Sequence, residues 1–99
     1  MQQHLIRYRT QPDRAAANEE LIRAVYAELR NAQPDGLRYA TFKLADQVTF
    51  IHLIQAEQGP SPLVTVKAFS EFQAGIADRC EQLPVREELT AIGSYRMFG

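Results

Sequence analysis

Two stretches rich in β-branched and aromatic residues, Leu37–Leu44 and Val48–Gln55, are parted only by Ala45, Asp46 and Gln47. So short a connection makes the pair an antiparallel hairpin, because parallel strands need a crossover of a dozen or more residues. With three linking residues, Leu44 is expected opposite Val48. Side chains alternate along each strand, so Arg38, Ala40, Phe42 and Leu44 would share a face with Val48, Phe50, His52 and Ile54. Leu37, Tyr39, Thr41 and Lys43 would share the other face with Thr49, Ile51, Leu53 and Gln55. The first face is the greasier, yet the second is too apolar to be left in water.

The flanking segments set this hairpin in a larger order. His4–Thr10 reads as a strand, ended by Pro12. From Arg14 to Asn31, Leu21, Ile22, Val25 and Leu29 recur at helical spacing with Tyr26 at the stripe's edge, and Asp13 is placed to cap the helix. Gln33-Pro34-Asp35-Gly36 ends it, since proline cannot donate and Asp-Gly favours a turn. Beyond the hairpin, Gly59-Pro60-Ser61-Pro62 breaks the chain, and Ser61 with Pro62 suits the cap and first position of a helical turn. Val64, Thr65 and Val66 are poor helix formers, so an irregular lead-in is expected before Lys67. Phe69, Phe72, Ile76 and Cys80 then fall at steps of three and four, the seam of a second helix. Pro84 interrupts, and Leu89–Phe98, containing Gly93, reads as the last strand. The order β-α-β-β-α-β predicts an α+β, ferredoxin-like fold: a four-stranded antiparallel sheet with both helices on one face. Those helices should cover the Phe42 and Phe50 face. Tyr39, Ile51 and Leu53 would be left uncovered, and a homodimer is the simplest way to cover them.

Composition narrows the classes of function. The 99 residues suit one domain, 1–99, and the formal charge is −1 with eleven lysines and arginines scattered along the chain. Nucleic-acid binding is not expected from that distribution, and the Arg7-Tyr8-Arg9 run is split between two faces by strand alternation. No apolar run reaches membrane-spanning length and the first residues carry no signal-peptide core, so the protein is expected to be soluble and cytoplasmic. Cys80 is the single cysteine, which excludes an internal disulfide, and its place in the second seam points to packing rather than chemistry.

Gly36-Leu37-Arg38-Tyr39-Ala40-Thr41-Phe42, Val48-Thr49-Phe50-Ile51-His52, Phe69-Ser70-Glu71-Phe72 and Gly93-Ser94-Tyr95-Arg96 resemble the antibiotic-biosynthesis-monooxygenase-like proteins of the dimeric α+β barrel superfamily. The resemblance spans nearly the whole chain as layout and short phrases. It implies a sheet-to-sheet dimer closing a barrel, with a small-molecule cavity between each sheet and its helices. Quinone-forming and haem-degrading members of that superfamily use a tryptophan with an asparagine, or a helix-borne histidine. This chain has no tryptophan, its asparagines Asn18 and Asn31 lie on the first helix, and its second helix carries no histidine. The resemblance therefore assigns no catalytic residue.

His52 is the candidate catalytic group: a titratable ring mid-strand among Phe50 and Ile54, suited to orienting a phenolic or enolic substrate or taking its proton. The bland alternative is a buried, hydrogen-bonded structural histidine. Phe42, Phe50, Phe69 and Phe72 are expected to line the cavity. Tyr39, Tyr95, Arg38 and Arg96 could donate to an anionic ligand, with surface or interface use the plainer reading. His4 does not complete a metal site with His52, so no metal is expected, and no cofactor either. Two functions follow: a monooxygenase-like oxidoreductase, independent of cofactor, acting on aromatic or polyketide-like compounds, or a non-catalytic ligand-binding or stress-related homodimer. An open apolar cavity with His52 exposed inside it would favour chemistry.

Overall fold

A computed structural model describes residues 2–57 and 61–97. Gly59, Pro60 and Phe98 lie outside the described residues. Strand β1 (Gln2–Thr10) leads through a 3₁₀ turn, Pro12–Arg14, into α1 (Ala15–Ala32). The hairpin of β2 (Leu37–Lys43) and β3 (Thr49–Ala56) follows, then a second 3₁₀ turn (Pro62–Thr65), α2 (Lys67–Ala74), α3 (Ile76–Arg79) and β4 (Cys80–Glu88). The sheet order is β2-β3-β1-β4 with every neighbouring pair antiparallel, the ferredoxin-like α+β arrangement expected from the element order. No helix among the described residues is long and apolar enough to cross a membrane.

The helices bury one face of the sheet. Ile22 and Val25 of α1 and Phe69 and Phe72 of α2 join Tyr8, Phe50 and Ile54 in the core. Glu28 ties the two helices together, its carboxylate accepting from the backbone N–H groups of Lys67 and Ala68, each at 3.0 Å. Those are orphan donors at the start of α2, where a negative charge also suits the helix dipole. Ser61 caps the second 3₁₀ turn as expected, accepting from the Leu63 N–H, and α2 begins at Lys67. Asp13 does not cap α1. It sits inside the Pro12–Arg14 turn, and α1 starts behind it at Ala15 with no side-chain cap. Pro12, preset for a first helical position, starts the winding too early for Asp13 to serve as the boundary.

The hairpin register departs from expectation by one residue. Lys43 pairs with Phe50, Thr41 with His52 and Tyr39 with Ile54. The connection has four residues rather than three: the Leu44 N–H donates to the Thr49 carbonyl at 2.9 Å. Gln47 takes a left-handed φ of 70°, and the Asp46 carboxylate accepts from the Val48 and Thr49 N–H groups and the Thr49 hydroxyl. These bonds, the Thr49 hydroxyl first among them, hold the Asp46 carboxyl down at about 2. A shift of one turns every β2 side chain over. Tyr39 and Thr41 therefore lie under the helices with Phe50, His52 and Ile54, while Phe42 faces outward with Ile51 and Leu53, 39% exposed.

The end of the chain also differs. The last strand is Cys80–Glu88, not Leu89–Phe98, and Pro84 lies within it. Proline is tolerated there because β4 is an edge strand and is bulged: Arg7 pairs with Val85 but Arg9 with Gln82 and Thr10 with Cys80. The second helix stops at Gly75, and Cys80 opens the strand instead of closing the helical seam. Residues 89–97 form no helix or strand, and Ile92, Tyr95 and Met97 are exposed.

Candidate functional site

β1, α1, β3 and α3 converge on a chain of buried polar groups that runs through the core. His52 is 2% exposed and points at the helices, as strand alternation requires. Its Nε2 lies 2.8 Å from the Tyr8 hydroxyl and its Nδ1 2.6 Å from the Tyr39 hydroxyl, with Thr41 Oγ1 at 3.2 Å. Beyond Tyr8, the Asn18 amide donates from Nδ2 to the phenol oxygen at 2.9 Å and accepts at Oδ1 from Arg79 Nε at 3.0 Å. Among the described residues no buried side-chain nitrogen or oxygen lacks a partner, which is the condition for such a network to stabilise a core.

Arg79 ends the chain inside the protein without a carboxylate partner among the described residues. Its charge is met instead by the Phe72 carbonyl at 2.6 Å and by the Phe72 ring, 5.3 Å below the guanidinium. That carbonyl is in the last turn of α2, where the unpaired carbonyls carry partial negative charge. Gly75 leaves the room: a Cβ there would meet the guanidinium at 3.0 Å.

At the other end the network reaches solvent. Tyr39 lines a cleft of about 250 Å³ with Tyr26, Leu29, Arg30, Gln33, Pro34 and Leu37, between the end of α1 and the start of β2. Tyr26 and Tyr39 stack at 5.1 Å and 8°, and the Tyr26 hydroxyl bonds Thr41 Oγ1 at 2.8 Å. A larger hollow of about 580 Å³ lies across the start of α1 and the hairpin turn. Charged residues dominate it, and the 2.7 Å Lys43–Glu19 ion pair lies across it, so it offers little to an apolar ligand.

Burial sets the protonation states. Desolvation lowers the His52 pKa to about 4, so the ring is neutral near pH 7, and it pushes the Tyr8 and Tyr39 phenols well above their usual range. His52 itself lines neither hollow, and both its ring nitrogens are bonded to protein hydroxyls. Tyr39 stands between it and the cleft, so its influence there passes through that phenol. Phe50, Phe69 and Phe72 are buried around the network and line neither of the two hollows, and Phe42 is on the opposite face. Tyr95 is exposed and Arg38 faces outward, so neither joins the site.

Three members of the network escaped sequence reading: Tyr8, Asn18 and Arg79. Two of them carried a signal. Asn18 continues the Ile22, Val25, Leu29 stripe backwards by one helical step, and Arg79 stands seven residues after Phe72 on the second seam. A polar residue at a core position of a periodic pattern must find a buried partner.

No family model and no curated protein matches the chain. Solved structures do. A candidate antibiotic biosynthesis monooxygenase of Nitrosomonas europaea superposes with a TM-score of 0.73 at 12% identity, covering 92% of this chain and 89% of that one. A Pseudomonas aeruginosa protein gives 0.74 at 18%, covering 93% and 94%. SnoaB, a cofactor-independent oxygenase from Streptomyces nogalater, gives 0.69 at 11%, covering 97% of each. The resemblance read from the sequence is thus borne out in the fold; at these identities it is the fold that is shared.

Proposed function

We propose that this chain binds a small aromatic or polyketide-like compound carrying a carbonyl or phenolic oxygen in the Tyr39 cleft, and that it does so as a homodimer. One observation carries the reading: Tyr39 lines an open cleft and is bonded at 2.6 Å to a buried histidine. The phenol is thereby held in place before a ligand arrives, which lowers the ordering cost of binding. Leu29, Pro34, Leu37 and the Tyr26 ring supply apolar wall, and Arg30 supplies a cation for an oxygen of partial or full negative charge. The volume is just below the usual range of about 300–1,000 Å³, which suits two fused rings better than four.

The dimer rests on the helix-free face. Leu5, Phe42, Ile51, Leu53 and Val85 are presented there without a covering helix, and Leu89, Ile92, Tyr95 and Met97 follow on an exposed tail. A second copy of the chain meets that surface with the same apolar residues.

A second reading, cofactor-independent oxygenation, is favoured by the fold shared with SnoaB. In it the bound compound's own enolate reacts with oxygen, Tyr39 holds the enolate oxygen, and His52 serves as the base through Tyr39. The protonation states favour binding over this chemistry. A general base works best with a pKa near the ambient pH, whereas His52 lies at about 4 and the phenols lie high.

Isothermal titration with alpha-tetralone, a two-ring aromatic ketone, tests the binding reading. Saturable uptake at one site per chain is expected, weakened about five- to tenfold by Tyr39→Phe, the worth of one neutral hydrogen bond. Absence of uptake overturns it. Oxygen consumption with anthrone faster than in buffer, and lost in Tyr39→Phe, would put the oxygenase reading first.

A further inference from the structure

We infer that Arg79 and Asn18 are positioning residues that hold His52 as its Nδ1–H tautomer, and thereby make the cleft a hydrogen-bond donor that selects ligands whose oxygen accepts. The ligand half of this inference rests on the cleft reading above; the tautomer half does not.

The direction of the chain follows from its inner end. A guanidinium has five donors and no acceptor, so Asn18 must turn its carbonyl oxygen to Arg79 and its amide to Tyr8. Tyr8, accepting from Asn18, spends its single hydrogen on the remaining neighbour, Nε2 of His52. A nitrogen that accepts carries no hydrogen, and the ring is neutral, so the proton sits on Nδ1 and is donated to the Tyr39 oxygen. Each link follows from the one before it once every buried hydrogen must find an acceptor.

At the outer end, hydrogens outnumber bonds. Nδ1, Tyr39, Thr41 and Tyr26 hold four hydrogens, while the bonds among them are three: Nδ1 to Tyr39 at 2.6 Å, Nδ1 to Thr41 at 3.2 Å and Thr41 to Tyr26 at 2.8 Å. Nδ1–H serves the first two and cannot accept, and a hydrogen of Thr41 or Tyr26 serves the third, so the hydrogen of Tyr39 is left over beside the stacked Tyr26 ring. Both line the cleft. A buried cation is thus expressed at the surface as a phenolic donor, beside Arg30. An acceptor oxygen satisfies it; a donor group in the same place leaves it unpaired.

The test is the imidazole ¹⁵N spectrum of the full chain labelled at histidine. His4, near the surface, is distinguished from His52 by its loss or retention in His52→Gln. At pH 7 His52 should show a protonated Nδ1 and a bare Nε2. Asn18→Asp keeps an acceptor for Arg79 but removes the donor to Tyr8, whose hydrogen then turns to the new carboxylate. His52 should switch to the Nε2–H form, and Nδ1 should then take the hydrogen of Tyr39, so that alpha-tetralone binds about tenfold more weakly. Arg79→Lys, still donor-only, should keep the wild-type tautomer, a result that a merely space-filling Arg79 would not require. An Nε2–H wild type overturns the inference, as does a folded Asn18→Asp variant with an unchanged tautomer. Should Asn18→Asp not fold, the wild-type and Arg79→Lys spectra decide. A tautomer switch without alpha-tetralone uptake by any form would refute the cleft reading and leave the positioning role standing.

Discussion

Burial keeps His52 at a pKa of about 4, against an ordinary value of 6.5, and this difference is also a statement about stability. Below pH 6.5 the unfolded chain binds a proton that the folded chain refuses. The stabilisation is therefore complete above pH 6.5, shrinks as the pH falls towards 4, and levels off below it. Its full size is about 3 kcal/mol. Denaturant melts between pH 7 and pH 4 should show that decline, and His52→Gln should flatten it while costing about 1–3 kcal/mol at pH 7, because the Tyr8 and Tyr39 hydroxyls lose their partner. An equal pH slope in wild type and variant would contradict a buried neutral histidine. His52 itself was legible in the sequence, because Phe50 and Ile54 on either side place it on the core face. Its partners were not, because Tyr8, Asn18 and Arg79 come from three other elements and their convergence depends on packing.

At the scale of the element, the helical seam holds on α2, and beyond it Ile76 and Cys80 still pack against the core, though Cys80 does so from β4. Phe69 and Phe72 are buried, but the partners expected of them change: Tyr8, Tyr39 and His52 surround them, and Phe42 does not. Phe72→Ala should destabilise by about 3–5 kcal/mol, since it opens a cavity and removes the ring beneath Arg79. A loss under about 1 kcal/mol in urea melts would mean that α2 is not docked through this residue. The hairpin shows why local pattern alone did not settle β2. Neither of its faces is polar enough to be left in water, so register depends on the turn, and the turn depends on Asp46 gathering the Val48 and Thr49 donors. The last strand was displaced for a similar reason. Pro84 reads as a breaker until the edge position of β4 is known.

The molecule as a whole presents a helix-covered face that holds the polar chain and a helix-free one that holds Phe42, Ile51 and Leu53. The order of elements was legible because helical and strand periods differ so plainly along the chain. Which residues the helix-free face carries was not, because the one-residue hairpin shift exchanged Tyr39 for Phe42. Sedimentation at micromolar concentration should give a dimer for the wild type. Leu53→Lys should give a monomer, since a lysine ammonium at the contact would be buried without a partner, a loss of several kcal/mol. A wild-type monomer would remove the dimer from the proposal and leave the cleft untouched. The cleft itself is tested most directly by amide chemical-shift mapping with alpha-tetralone. Shifts concentrated at Arg30, Gln33, Leu37 and Tyr39, and needing about five- to tenfold more ligand in Tyr39→Phe, are the expected result. Shifts confined to the Phe42, Ile51 and Leu53 face, with the cleft silent, would contradict it.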